Sequence, residues 1–339
     1  MPRKSKIGYN FASFINIENH KLKAIDIMKR RNFLRNGLTA AASTLALGNV
    51  FASSTKTENH KNQFAFETAE KTFKLNYAPH DGMFANHAGK DFVDQIKFMH
   101  EQGFRAIEDN GMLERSKEDQ EKIGATLSRL GMTMGVFVID GGDNWKTSLT
   151  TGKKEFKDNF IKTCKASVEV AKRVNAKWMT VVPGFFERHL PIGIQTANVI
   201  DALRSGAEIL EPHGLVMVLE PLSDTPELFL RNSDQTFEIC KAVKSSACKI
   251  LFDIYHMQRN EGDLIPNIEK CWDEIAYLQI GDNPGRNEPT SGEINYRNIF
   301  KFLNSKGYKG VLGMEHGNAQ KGKEGELALI KAYRESDSF

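Results

Sequence analysis

Eight short apolar runs, each followed by a longer segment with helical spacing of apolar residues, constrain the fold of this chain more than any other feature. The runs are rich in β-branched and aromatic residues, which are typical of strands. They occupy residues 73–78, 105–109, 133–139, 177–183, 215–221, 249–255, 276–281 and 310–316. Strands that alternate with helices in this way indicate a parallel sheet covered by helices.

The number of runs selects among the parallel α/β folds. Eight strand–helix units that span roughly 260 residues match a (β/α)8 TIM barrel, whose usual length is about 250 residues. A doubly wound sheet is the alternative, but no GxGxxG turn follows the first run, as a dinucleotide site on that fold would require. We therefore predict an α/β chain with a single domain, the TIM barrel, over residues 71–339.

The N-terminal segment differs in kind from the barrel sequence. Residues 28–52 place a pair of arginines before a mildly apolar stretch and a small-residue ending. This order is typical of a twin-arginine signal peptide, and a basic amphipathic helix is the alternative. We expect export to the periplasm, with residues 53–70 as a linker. Because such a signal normally stands at the N-terminus, we interpret residues 1–27 as an upstream extension, with Met28 as the candidate start.

Composition narrows the classes of partner. The chain has 40% hydrophobic and 26% charged residues and a formal net charge of +3, as an ordinary globular protein does. Residues 1–52 contain nine Lys or Arg and two Asp or Glu, so the remainder carries a net charge of −4. No basic stripe remains for nucleic acid, and no apolar run reaches the roughly 18 residues of a membrane-spanning helix. We expect a small-molecule substrate, no nucleic acid and no stable membrane anchor, and we leave a homo-oligomer open.

The four cysteines lack the spacing of a metal site. Cys164, Cys240, Cys248 and Cys271 contain no CxxC pair, whereas a zinc ribbon would need two such pairs. We predict that all four are packing residues. A Cys240–Cys248 bridge is the alternative if the chain reaches an oxidising compartment.

Oxygen-bearing side chains stand at the ends of the last four predicted strands. They are Glu220, Asp253, Gln279 and Glu315. Since the strand ends of a barrel converge on one mouth, the four side chains can surround one point. Three carboxylates there would raise one another's pKa unless a cation lay among them. Oxygen ligands without thiolate or histidine favour a hard divalent ion over structural zinc. We predict one divalent metal ion, Mg²⁺ or Mn²⁺ in the first place and Co²⁺ in the second; solvated acids or helix caps are the alternative.

Two segments after these strand ends supply candidate substrate-binding residues. "DIYHMQ" places His256 three residues after Asp253, and "GDNPGRNEP" places Arg286 and Glu288 after Gln279. A guanidinium can hold a carboxylate or phosphate through two parallel hydrogen bonds. We predict that His256, Arg286 and Glu288 contact the substrate. The alternatives are a structural histidine and a salt bridge between Arg286 and Glu288 that braces the loop.

The segments "DIYHMQ", "EGDL", "PGRNEP" and "GEINY" also match a known family in order and spacing. Through them, residues 215–317 resemble the hydroxypyruvate isomerase family of the xylose isomerase-like barrels. A weaker likeness runs upstream through "GFRAIED" and "GGDNWKTSLTTGKKEF", so that the resemblance covers most of residues 73–335. It implies the same barrel fold and an isomerase activity.

The resemblance also implies roles for the matched residues. Its metal ligands correspond to Glu220, Asp253, Gln279 and Glu315. Glu220 and Glu315 correspond to its acid–base carboxylates as well, and His256 and Arg286 correspond to substrate-side residues. The chain departs from the family at Asn287, where relatives usually carry histidine. It departs too in the first-strand and fourth-strand loops, which shape the substrate pocket.

This ligand set predicts a reaction type. A metal that chelates the carbonyl and neighbouring hydroxyl oxygens of a substrate stabilises an enediolate, and two glutamates can move the proton between carbons. We expect a metal-dependent isomerase that interconverts a small α-hydroxy aldehyde and ketone. A ketose 3-epimerase is the alternative enzyme, and a non-catalytic secreted sugar-binding barrel is the alternative from another class. A metal-dependent endonuclease is disfavoured by the net negative charge.

Overall fold

The computed structural model describes residues 72–339, which form a nearly closed barrel of eight parallel strands. The strands are β1 (Asn76–Ala78), β2 (Ala106–Ile107), β3 (Thr133–Val138), β4 (Ala176–Val181), β5 (Val216–Leu219), β6 (Cys248–Asp253), β7 (Ile275–Gln279) and β8 (Val311–Gly313). From β2 to β8 each strand pairs with the next, and β8 pairs with β1. An isolated bridge between His80 and Glu108 joins the ends of β1 and β2. The predicted TIM barrel is confirmed.

Helices connect the strands on the outside of the barrel. They are α1 (Ala85–Ala88), α2 (Phe92–Glu101), α3 (Lys117–Leu130), α4 (Lys154–Val174), α5 (Ile192–Leu210), α6 (Ser233–Val243), α7 (Ile254–Asn260), α8 (Leu264–Cys271), α9 (Tyr296–Ser305) and α10 (Gly322–Ser336). Side chains cap two of the early helices: Asp91 accepts from the amide of Val93, and Ser116 accepts from the amide of Asp119. Such caps satisfy amides that have no partner within the helix.

The core has two layers, as the barrel geometry requires. A small cluster takes one buried residue from seven of the strands, namely Ala78, Ala106, Val136, Val218, Leu251, Tyr277 and Val311, and Trp178 of β4 packs against it. Since every strand contributes, this cluster fills the barrel interior. A much larger cluster lies between the strands and the helices. The interior layer matters for function because the hydroxyl of Tyr277 reaches the site described below.

Each of the eight predicted runs overlaps one strand, and every strand is shorter than its run. In residues 249–255 the strand ends at Asp253, where helix α7 starts at once. The four cysteines are buried free thiols, as packing residues would be. Within the described residues no helix is long and apolar enough to cross a membrane. The predicted extension, signal peptide and linker lie outside the described residues.

Candidate active site

Four acidic or histidine side chains meet at the carboxyl ends of β5, β6 and β8. Glu220 directly follows β5, Asp253 ends β6, and Glu315 lies two residues beyond β8. His256 joins them from the first turn of α7, and one ligand atom of each of the four residues lies within 4.8 Å of the others. Gln279 ends the intervening strand β7 and pairs in register with Asp253. The structure therefore brings the five residues predicted at strand ends and in "DIYHMQ" to one mouth of the barrel.

Asp253 explains why His256 lies at this point. One carboxylate oxygen of Asp253, Oδ1, accepts from the amide of Tyr255 at 2.7 Å and so begins helix α7. The helix carries His256 back over the strand end, and the second oxygen, Oδ2, lies 3.4 Å from His256 Nε2. Asp253 therefore caps helix α7 with Oδ1 and faces His256 in the site with Oδ2. The predicted strand run extends to Tyr255 because an aspartate that caps a helix cannot be told from one within a strand by sequence alone.

Arg286 brings positive charge to the cluster. Its Nη2 donates to Glu315 Oε2 at 2.6 Å and to Asp253 Oδ2 at 3.2 Å, and its Nε donates to the carbonyl of Glu315 at 3.1 Å. The guanidinium also lies over the ring of Tyr255, 4.9 Å from its centroid. Arg286 adopts a left-handed backbone conformation with φ of 49°. The predicted loop residue therefore points into the acid cluster.

The loop that carries Arg286 is braced by Asp282. The Asp282 carboxylate accepts from the amides of Gly292 at 2.9 Å and Ile294 at 3.0 Å. Glu288 lies on the same loop, is buried, and accepts from the amide of Ala319 at 2.8 Å. Among the described residues the ion pairs of Arg286 go to Glu315, Asp253 and Asp224 rather than to Glu288. Arg286 thus lies in the site, whereas the Glu288 carboxylate binds the backbone of Ala319.

Burial and mutual repulsion shift the pKa of the clustered acids upward. Burial raises the pKa of Glu220 well above its usual value, and the charges of Glu315 and Asp253 add to the shift. Burial likewise raises the pKa of Asp253 and of Glu315, whereas the charge of Arg286 opposes both shifts. Like charges in a desolvated cluster favour either protonation or a bound cation. The cluster is therefore suited to hold protons or a cation.

His256 has polar neighbours at both ring nitrogens. Burial, together with the charge of Arg286, lowers its pKa to about 4. The amide of Ser223 donates to Nδ1 at 3.2 Å, and the Ser223 hydroxyl lies 2.8 Å from the same nitrogen. On the other side of the ring, Arg286 Nη2 lies 3.1 Å from Nε2. Ser223 and Arg286 therefore fix the orientation of the imidazole beside the acid cluster.

Two buried oxygens in the site have no hydrogen-bond partner among the described residues. They are Oε1 of Glu220 and Oε1 of Gln279. An unpartnered buried acceptor costs roughly 1–3 kcal/mol, so such atoms in a native fold call for a ligand. Carboxylate and carboxamide oxygens are the atoms that hard divalent ions prefer. Glu220, Asp253, Gln279 and Glu315 therefore offer oxygen ligands for a metal ion, and His256 is the nitrogen donor of the same cluster.

Glu108 is a buried acid of the site that sequence reasoning missed. It follows β2, and its carboxylate accepts from the hydroxyl of Tyr277 and from Gln279 Nε2, both at 2.9 Å. Burial and the charge of Glu315 raise its pKa well above the usual value. Gly313 of β8 lies against this carboxylate, since any Cβ there would collide with Glu108 Oε2. By accepting from Nε2 of Gln279, Glu108 fixes the orientation of that amide and leaves its Oε1 without a partner among the described residues.

Two cavities open onto the cluster. The larger has a volume of about 320 Å³ and the smaller about 280 Å³, and both are lined by Asn110, Gly111 and Glu315. Glu220, His256 and Arg286 line the larger one. A volume near 300 Å³ is typical of the lower range of small-molecule sites. The acid cluster is thus accessible to a small ligand through the larger cavity.

Comparison with known proteins identifies the family of the chain. A family model described as the xylose isomerase-like TIM barrel matches residues 96–335. Hydroxypyruvate isomerase of Escherichia coli strain K12 is 32% identical over 188 residues, which are 54% of this chain and 69% of that protein. The 2-oxo-tetronate isomerase of Cupriavidus necator is 28% identical over 258 residues, 74% of this chain and 95% of that protein.

A solved structure shares the fold. The crystal structure of AP endonuclease, family 2, from Brucella melitensis matches with a TM-score of 0.66 and 24% identity, over 77% of this chain and 99% of that one. At this identity the likeness shows the fold alone. The family model and the two isomerase relatives establish the assignment. The chain belongs to the xylose isomerase-like TIM barrel family, is similar to hydroxypyruvate isomerases, and is an isomerase.

Proposed function

We propose that the chain is a metal-dependent isomerase of small α-hydroxy carbonyl compounds. The observation that carries the proposal is the pair of unpartnered buried oxygens of Glu220 and Gln279 beside the carboxylates of Asp253 and Glu315. These four residues would hold one divalent ion. Their hard oxygen ligands favour Mg²⁺ or Mn²⁺, with Co²⁺ as a further option. Such an ion, when bound, supplies Lewis-acid polarisation of a carbonyl.

Glu220 and Glu315 would move the proton. One carboxylate removes a proton from the carbon that bears the hydroxyl, and the electron pair of that C–H bond forms the double bond of an enediolate. The π pair of the carbonyl moves to its oxygen at the same time. Return of the carbon-bound proton to the former carbonyl carbon, with a proton passing from the former hydroxyl oxygen to the former carbonyl oxygen, completes an aldose–ketose exchange. Acid–base catalysis of this kind contributes about 10²- to 10⁴-fold, and a pKa raised above the usual carboxyl value suits a group that must both take and give a proton.

The cationic and neutral residues would orient the substrate and the acids. His256 lines the larger cavity, is held in orientation by Ser223, and would contact a substrate oxygen. Arg286 keeps Glu315 and Asp253 in place through its two ion pairs. Substrate contact by Arg286 and Glu288, which the sequence predicts, remains a prediction.

Two alternatives follow from the same site. A ketose 3-epimerase would use the same two carboxylates but return the proton to the opposite face of the same carbon, so its product is a second ketose. A non-catalytic sugar-binding barrel would not need its acid ligands. Product analysis separates the first alternative from an isomerase, and the divalent-ion content of the purified protein separates the second.

The proposed function is tested by proton exchange. We expect that the purified protein with added Mn²⁺ or Mg²⁺ incorporates deuterium from D₂O next to the carbonyl of at least one compound among hydroxypyruvate, 2-oxo-tetronate and simple ketoses. NMR follows both the deuterium and the aldehyde–ketone product pair. The absence of exchange with all of these compounds, in protein that binds the metal, would contradict the proposal.

Replacement of Glu108 is expected to weaken metal binding without touching a metal ligand. Glu108→Ala removes the acceptor that orients Gln279, and loss of a residue that positions a metal ligand typically costs 10- to 100-fold in affinity, so we expect a loss of about that size. Glu108→Gln keeps an acceptor for Gln279 and should retain most of the affinity. Calorimetry with Mn²⁺ measures both variants, and equal affinity of Glu108→Ala and wild type would refute this role.

Export to the periplasm remains a prediction, since residues 28–52 lie outside the described residues. Fractionation of cells that express the full chain, with a paired Arg30→Lys and Arg31→Lys variant as control, would test it. We expect the wild-type chain in the periplasmic fraction and the variant in the cytoplasm.

A further inference from the structure

The larger cavity has an outer wall that the proposed chemistry does not use. It is formed by Glu114, Asp140, Trp145 and Asp224, which we call the rim. Glu114, Trp145 and Asp224 are exposed, and Asp140 is partly exposed. A substrate that reaches the acid cluster with its reacting end shares the cavity with the rim. The chemistry of the rim therefore contributes to the choice of substrate.

The charge of the rim disfavours an anion. Three of its four residues are carboxylates, and among the residues of 72–339 that line the cavity Arg286 is the one Arg or Lys. That guanidinium already pairs with Glu315 at 2.6 Å and with Asp253 at 3.2 Å. A carboxylate on the substrate would meet like charges at the rim, which lowers affinity for the wrong partner.

Two other residues of the same cavity offer contacts to an uncharged polyol. Thr180 of β4 is 2% exposed, and its hydroxyl has no hydrogen-bond partner among the described residues although the residue lines the cavity. A buried hydroxyl without a partner fits a ligand that supplies one. This observation is independent of the acid cluster, because Thr180 lies on a strand that contributes no predicted ligand.

Trp145 provides a flat apolar surface at the mouth. It is 53% exposed, which is unusual for so large an aromatic side chain. Phe185 contacts it edge-on at 6.5 Å, and the amide of Phe185 donates to the carbonyl of Lys146 next to Trp145, so the loop is anchored. The electron-rich face of an indole suits the C–H face of a sugar. An anchored, exposed tryptophan beside acceptor carboxylates is suited to a neutral carbohydrate.

We propose that the substrate is an uncharged polyhydroxylated aldose or ketose rather than a keto acid, with Thr180, Trp145 and the rim carboxylates as its specificity-determining contacts. This inference rests on the proposed isomerase function and narrows it. It separates the chain from the acids in the names of its two isomerase relatives. The rim carboxylates accept hydrogen bonds from sugar hydroxyls and repel a carboxylate.

A matched pair of four-carbon compounds tests the inference by turnover. D-Erythrulose and 2-oxo-tetronate have the same chain length and differ in the charge at one end. With Mn²⁺ in D₂O, we expect kcat/KM for exchange to be at least about tenfold higher for D-erythrulose. A higher value for 2-oxo-tetronate would overturn the inference and leave the proposed function standing. No exchange with either compound, or with D-xylulose and hydroxypyruvate, would count against the proposed function instead.

Binding tests the inference without turnover. The variant with Glu114→Gln, Asp140→Asn and Asp224→Asn removes three rim charges, and each amide can still accept a hydrogen bond. By calorimetry we expect about tenfold tighter binding of D-xylonate and about unchanged binding of xylitol, relative to wild type. Chelation of the metal by D-xylonate cancels in this comparison because the metal ligands are unchanged. Equal affinity of wild type and variant for D-xylonate would overturn the inference.

Trp145 is tested in the same assay. Trp145→Ala should weaken xylitol binding about three- to tenfold, whereas Trp145→Phe keeps an aromatic face and should retain most of it. Trp145 is exposed, so circular dichroism should show both variants folded. Xylitol binding that is the same in wild type and Trp145→Ala would exclude the stacking contact.

Discussion

Replacement of Glu315 by glutamine is expected to lower C–H exchange of the substrate in D₂O by at least about 10²- to 10⁴-fold, the usual contribution of a positioned acid–base group. The amide keeps an oxygen for Asn110, which donates to Glu315 Oε1 at 2.7 Å, and for a metal ion. It cannot take a proton from carbon. NMR with any compound that the wild-type protein turns over measures the loss, and exchange at the wild-type rate would end the two-carboxylate mechanism.

Two controls separate this effect from damage to the fold. Glu269→Gln changes an exposed glutamate of α8 that pairs with Lys306 at 3.5 Å and belongs to neither the acid cluster nor the rim. It should leave exchange unchanged. Calorimetry with Mn²⁺ should show that Glu315→Gln still binds the ion, so that the lost step is proton transfer rather than metal binding.

Replacement of Asp253 by asparagine is expected to abolish stabilisation of the protein by Mn²⁺. A ligand present at 100 times its Kd stabilises a protein by about 2.7 kcal/mol, which raises the Tm of wild type measurably. Asparagine can still cap helix α7 through Oδ1, so the fold should persist. Loss of a residue that only positions a metal ligand typically costs 10- to 100-fold in affinity. Loss of the Asp253 carboxylate, which also accepts from Arg286, should therefore reduce affinity by more than about 100-fold, and the Tm of the variant should not respond to the same Mn²⁺ concentration.

Asp224→Asn is the matched control for this experiment. Asp224 is an acid of the same neighbourhood, 3.7 Å from His256 and 4.0 Å from Arg286, but it is not among the four proposed ligands. Its Tm should rise with Mn²⁺ as that of wild type does. A full Mn²⁺ response of Asp253→Asn would remove Asp253 from the ligand set.

The sequence predicted the barrel and the clustered acids because both follow from chain-local patterns. Alternating strand and helix periods specify the topology, and an acid at the end of an apolar strand is visible without knowledge of any contact. The convergence of Glu220, Asp253 and Glu315 then follows from barrel geometry alone. What the structure adds is the distances and the unpartnered oxygens.

The sequence could not predict the contacts that depend on packing across the barrel. Glu108 belongs to the run "RAIED", where it stands beside Asp109, and nothing local tells which of the two turns inward. Its role depends on Tyr277 and Gln279, which lie far along the chain. The sequence left two alternatives for Arg286, a substrate contact and a salt bridge with Glu288. The tertiary arrangement of the loop brings Arg286 to Asp253 and Glu315.

The join between β1 and β2 has a consequence for local stability. Those strands meet through the His80–Glu108 bridge, with the Glu108 amide donating to the carbonyl of Pro79 at 3.0 Å, whereas the other neighbours pair over two or more residues. Local opening begins where few backbone bonds must break. The seam of the barrel therefore runs beside the acid that orients Gln279. Amide hydrogen exchange at Glu108 would report on the order of the site itself, and a ligand that tightens the site should slow it.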